Sequence, residues 1–168
     1  VEQKKKQPLA SFVSTLTTSK NSFFDALAAP GTSYIFECKK ASPSKGLIRE
    51  NFDLDEITRA YAKEAACFSV LTDNKYFQGK HEYLSYVGQQ VKQPTLNKDF
   101  FVDEYQVHLA RFLGANAVLL MLSVLDDEQY KQLAELTHSY EMDVLTEVSN
   151  EEETHRALAL GAKIIGIN

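Results

Sequence analysis

Short apolar runs alternate with longer amphipathic stretches along almost the whole chain, and this alternation narrows the fold more than any other feature. The runs are Ser33–Cys38, Cys67–Leu71, Pro94–Lys98, Ala117–Met121, Val144–Val148 and Lys163–Asn168. Each has the length of a strand and carries β-branched or aromatic residues, as a strand buried on both faces does. Strand ends at Glu37, Leu71, Lys98, Met121, Glu147 and Asn168 lie 34, 27, 23, 26 and 21 residues apart. A strand–helix repeat with short links implies a parallel sheet with right-handed crossovers. Two architectures satisfy it: an open doubly wound sheet and a TIM-type (β/α)₈ barrel. The chain has no G-x-G-x-x-G and no P-loop, so the nucleotide-binding open sheets lose their usual support.

Helix signals fall between the runs. Asp53–Ala66 opens with Asp-x-x-Glu, and Ser149–Leu160 opens with Ser149-x-x-Glu152, a capping box. Asp126–Tyr140 begins with three acidic residues, which favour a helix N-terminus through the macrodipole. The run Glu151–Glu153 therefore reads as a helix start, and no metal site is expected. Gly114 and Gly161 each follow a helical stretch, as helix-ending glycines do. A helix is also expected over Pro8–Leu16, within an N-terminal helical extension of about 30 residues.

Length and charge exclude more than they select. At 168 residues there is room for one domain, here residues 1–168, and not for two of ordinary size. A net charge of −5 argues against a nucleic-acid or anionic-membrane surface as the main partner. No apolar run approaches the ~20 residues of a membrane span. Cys38 and Cys67 form neither a disulfide framework nor a metal spacing, which suits a reducing cytoplasm. The four histidines occupy helical stretches without ligand-like spacing, and Lys4–Lys6 reads as a solvated lead-in.

The anomaly is charge at strand ends. Glu37 and Lys39 close the first run two residues apart and so share a face, with Cys38 on the other. Lys98 ends the third run, with Phe100 two residues on; Glu147 lies in the fifth and Asn168 closes the sixth. Ionised groups in apolar strands are costly unless paired or solvated in a site. One such residue is more often a structural ion pair, for example Glu37 with Lys39 or Lys98 with Glu147. Four at equivalent places point instead to the catalytic mouth of a barrel, where C-terminal strand ends converge.

These residues sit in stretches that resemble a known family. Glu37–Gly46 (ECKKASPSKG) is similar to the first-strand signature of indole-3-glycerol-phosphate synthases. Ser69–Gly79 (SVLTDNKYFQG), Lys98–Val107 (KDFFVDEYQV), Leu145–Val148 (LTEV) and Ile164–Asn168 (IIGIN) resemble the same family in the same order. The details look most like the enterobacterial-type enzyme, which is fused to a phosphoribosylanthranilate isomerase domain. The resemblance implies a ribulose-phosphate-binding (β/α)₈ barrel, present here as a partial barrel of about six βα units with the Pro8–Leu16 helix over its mouth. It also implies cofactor-free conversion of 1-(2-carboxyphenylamino)-1-deoxyribulose 5-phosphate to indole-3-glycerol phosphate, in the cytoplasm and within tryptophan biosynthesis. Lys98 matches the general acid, Lys39 the lysine holding the leaving carboxylate, and Glu147 the base of the dehydration. Glu37 and Asn168 match positioning partners, Ser42 a substrate contact, and Phe77 and Phe100 walls for the anthranilate ring. The substrate phosphate would be held by loops after the seventh and eighth strands, which follow Asn168 in the family. A barrel of six strands is expected to be inactive alone and to self-associate through its open edges. Two other readings stay open at this level: a non-enzymatic partial barrel, and another phosphate-binding barrel such as phosphoribosylanthranilate isomerase.

Overall fold

A computed structural model describes residues 2–168. Six parallel strands follow one another in chain order across a single sheet: β1 Tyr34–Cys38, β2 Ala65–Leu71, β3 Thr95–Lys98, β4 Ala117–Met121, β5 Asp143–Val148 and β6 Ile164–Ile167. Five helices connect or flank them: α1 Leu54–Tyr61, α2 His81–Gln90, α3 Glu104–Phe112, α4 Asp127–Ser139 and α5 Glu151–Ala159. Sequential neighbours all paired in parallel, with helices on one side, make a curling partial barrel rather than a doubly wound sheet. No helix among the described residues is long and apolar enough to cross a membrane.

Side-chain alternation sorts the core into two layers. Phe68, Val70, Val118, Leu120, Val144 and Val148 face outward, toward Leu84, Val107 and Leu133 on the helices. Cys67, Leu96, Ala117 and Leu119 face inward and close around Phe23. Phe23 begins a short helix, Phe23–Leu27, that plugs the N-terminal end of the barrel. Asp143 holds the plug by accepting from the Phe24 N–H at 2.9 Å and the Ser22 hydroxyl at 3.3 Å. Burial of the Phe23 ring contributes about 1.5–3 kcal/mol relative to exposure.

Several boundaries differ from those the sequence suggests. The helix expected over Asp53–Ala66 stops at Tyr61, and Ala65 opens β2 opposite Tyr34. Alanine favours helix only by tenths of a kcal/mol against most residues, and the parallel ladder outweighs that. The capping box at Ser149 and Glu152 is displaced by one residue. Asn150 is the N-cap and accepts from the Glu153 N–H at 2.9 Å, while the Glu153 carboxylate accepts from the Ser149 N–H at 2.8 Å. Asn caps as well as Ser, so the Asn150/Glu153 pair competes on equal terms and wins. Residues 8–16 form two 3₁₀ turns, Leu9–Ser11 and Val13–Thr15, instead of one helix. They do not cover the mouth: Phe12 anchors them on the outside of α3, against Tyr105 and Phe112. Lys4 is not simply solvated, since it pairs with Asp103, the N-cap of α3, at 2.6 Å.

Candidate active site

Strand parity delivers Lys39, Leu71, Lys98, Met121, Glu147 and Asn168 to the inner face at the C-terminal ends of their strands. All six line one cavity of about 660 Å³, with Ser42, Phe77 and Phe100 from the following loops. Glu37 stands one step deeper on β1 and holds both lysines, Lys39 Nζ at 2.6 Å and Lys98 Nζ at 2.9 Å. Cys38 turns the other way into the helix-facing core.

The site has two electrically distinct sides. On one, two ammonium groups share a single carboxylate, Glu37. On the other, Glu147 is buried and accepts one hydrogen bond from Asn168 Nδ2 at 3.2 Å. The pair between Lys98 and Glu147 that sequence alone allows is not formed, because Lys98 reaches Glu37 instead. Glu147 therefore has no Lys or Arg within 4.0 Å among the described residues.

Burial pushes the Glu37 carboxyl up, but hydrogen bonds and charge from Lys39 and Lys98 outweigh it and leave the group below its ordinary value. The sign of the stability effect follows from linkage. A carboxyl with a lowered folded value stabilises fully above its unfolded value and loses that contribution as pH falls through the folded one. Melting temperatures measured from neutral pH down through the carboxylate range should therefore show wild type losing its margin over Glu37→Gln as the solution becomes acidic. A margin that is constant with pH would contradict the pairing.

The loop Thr72–Gly79 places Phe77. Asp73 caps the short helix Asn74–Phe77 by accepting from the Tyr76 N–H at 2.6 Å. Gly79 then passes so close to β2 that a Cβ there would lie 2.4 Å from the Leu71 carbonyl oxygen. Only glycine fits, and the tight return sets the Phe77 ring 6.3 Å from the Phe100 ring, centroid to centroid. On the first loop, a two-stranded hairpin pairs Ala41–Ser42 with Gly46–Leu47 and presents Ser42 and Ser44 to the cavity.

Sequence reading missed several lining residues: Ser44, Lys45 and Ile48 on the hairpin, and Asp73 and Asp99 after β2 and β3. Asp99 directly follows β3 and Asp73 stands two residues past the end of β2, positions at which an aspartate reads as an ordinary loop residue. Both cysteine thiols are pushed up to about 12, chiefly by burial, with Glu37 adding to the effect at Cys38 and Asp143 at Cys67. Neither is a nucleophile. Of the histidines, His108 meets the Tyr140 hydroxyl at 2.7 Å between α3 and α4, and His138 meets the Met142 carbonyl at 3.1 Å. Both contacts lie in the helix layer.

Known proteins resemble this chain along its length. The family model for indole-3-glycerol phosphate synthase matches residues 1–168. The tryptophan biosynthesis protein TrpCF of Vibrio parahaemolyticus is 62% identical over 167 residues, covering 99% of this chain and 35% of the relative. That of Vibrio cholerae is 60% identical over 167 residues, with 99% and 36% covered. The chain thus spans about 35% of the length of the relatives it matches. Among solved structures, KGPDC from Streptococcus mutans superposes with a TM-score of 0.60 at 8% identity, covering 78% of this chain and 61% of that one. At that identity the likeness concerns the fold alone.

Proposed function

The chain belongs to the indole-3-glycerol phosphate synthase family, and we propose that its cavity carries out that ring closure on 1-(2-carboxyphenylamino)-1-deoxyribulose 5-phosphate. The observation that carries the reading is that one cavity holds two lysines paired to Glu37, a separate buried carboxylate at Glu147, and the aromatic rings of Phe77 and Phe100. Phe77 and Phe100 form walls for the anthranilate ring. Lys98 gives a proton to the ribulose carbonyl oxygen as the ring carbon bearing the carboxylate attacks the carbonyl carbon. Lys39 pairs with that carboxylate until the carbon–carbon bond breaks and carbon dioxide leaves, its electrons restoring the ring. Glu147 then removes a proton from the neighbouring ring carbon while a lysine ammonium protonates the new hydroxyl, which departs as water, completing the indole. Glu37 holds both ammonium groups in place, Asn168 orients Glu147, and Ser42 contacts the substrate from the hairpin.

An acid and a base that line one cavity without pairing suit this sequence of steps, since a proton is given at one group and taken at another. The phosphate would be gripped by the loops that follow β6 in the family, and a second domain of phosphoribosylanthranilate isomerase type fits within the relatives' greater length. Turnover is the test. A full-length protein carrying these residues should convert the ribulose phosphate to an indole, seen by its ultraviolet absorbance; a compound left unchanged would refute the reading.

A further inference from the structure

Beside Lys98, running from the outer face of β3 to the cavity rim at Asp99, lies a hydrogen-bond relay that none of the chemistry above uses. The last backbone bond between β2 and β3 runs from the Thr72 N–H to the Lys98 carbonyl at 3.1 Å. Beyond it the strands diverge and side chains take over. Asn97 Nδ2 donates to the Thr72 hydroxyl at 2.7 Å, and that hydroxyl donates to Asp99 Oδ2. The other oxygen of Asp99 accepts from the Phe100 N–H at 2.8 Å. Thr72 and Asn97 are each only 3% exposed, and the Asp99 carboxylate can only accept. The direction of the relay is thereby determined. With one lone pair of the hydroxyl taken by the Asn97 N–H, its single proton points at Asp99.

We propose that Asp99 and Thr72 are positioning residues for this site: together they clamp the Lys98–Asp99–Phe100 turn to the end of β2 and so hold the acid and one aromatic wall in register. The inference rests on the synthase reading for its kinetic consequence, but the clamp itself does not. Lys98 contacts Glu37 through a long flexible side chain, so the place of its ammonium group depends on where its backbone is held. Phe100 is tied twice, through its N–H to Asp99 and through its carbonyl, which accepts from Gln106 Nε2 at 2.7 Å. Removing the Thr72 hydroxyl leaves the Asn97 donor and one Asp99 oxygen unpaired, a mismatch that shifting the turn would relieve. A displacement of about 1 Å at a reacting group costs on the order of 10²-fold in rate.

The experiment uses a full-length protein carrying this chain, with Thr72→Val, Thr72→Ser and Asp99→Ala compared in two measurements. Thr72→Val should lower kcat by about 10- to 100-fold with KM changed by no more than about threefold, while Thr72→Ser keeps the hydroxyl and stays within about threefold of wild type. Hydrogen exchange at the Phe100 amide should quicken in Thr72→Val and Asp99→Ala and not in Thr72→Ser. Asp99 is only half buried, so Asp99→Ala remains informative if Thr72→Val fails to fold. Wild-type kcat and exchange in both Thr72→Val and Asp99→Ala would overturn the proposal. So would an equal loss in Thr72→Ser, which would assign the effect to methyl packing. Should wild type itself leave the ribulose phosphate unchanged, the synthase reading fails and the amide exchange still decides the clamp.

Discussion

Lys98→Ala in a full-length protein is expected to lower turnover of the ribulose phosphate by about 10²-fold or more, and Glu147→Ala by a similar factor, the range for loss of a proton-transfer group. The two losses differ in character. Lys98 faces the cavity with its charge held by Glu37, so its removal also frees Glu37 from one of two cations. The remaining pair with Lys39 keeps Glu37 ionised, and the protein should fold. Glu147 lies buried with a single side-chain partner, and alanine there leaves Asn168 without its acceptor. Rates should be measured under saturating substrate, so that the loss is read in kcat rather than in binding. Near-normal turnover in Lys98→Ala would remove the role proposed for it, whatever its place in the cavity.

The second large effect concerns the sheet's two edges. β1 and β6 each pair on one side only, and their apolar side chains lie open: Tyr34 is 52% and Ile167 87% exposed. Unpaired strand edges with apolar side chains recruit other chains, and closure is what natural barrels use to remove them. The 168 residues produced alone are therefore expected to self-associate and to show no measurable turnover. Sedimentation beside a turnover assay checks both halves. A stable monomer with full activity would mean that neither edge needs a partner and that these strands suffice to hold the substrate.

Much of the architecture was legible before any coordinates. Runs such as Ala117–Met121, apolar at every position, announce strands buried on both faces, and their spacing demands parallel crossovers. Charged residues at Lys39, Lys98 and Glu147 stand out because an apolar strand has no reason to carry them. What escaped is what depends on distance across the curl. Sequence places Lys98 and Glu147 on the same inner face, but only the curvature of the sheet decides that Lys98 reaches Glu37 instead. The N-terminal turns escaped for a different reason. Phe12 docks sideways on α3, and that tertiary contact overrides the helical pattern of residues 8–16. Thr72 and Asp99 were hidden because a threonine and an aspartate after strands read as ordinary loop residues until their mutual contact is seen.

The central claim is that this mouth closes an indole ring and expels carbon dioxide with its own lysines and carboxylates. Carboxyl-labelled substrate supplied to a full-length protein, without added cofactor, tests it most directly. The account predicts labelled carbon dioxide and indole-3-glycerol phosphate released in equal amounts, both abolished together by Lys98→Ala. Consumption of the substrate with the label retained in the product would contradict it.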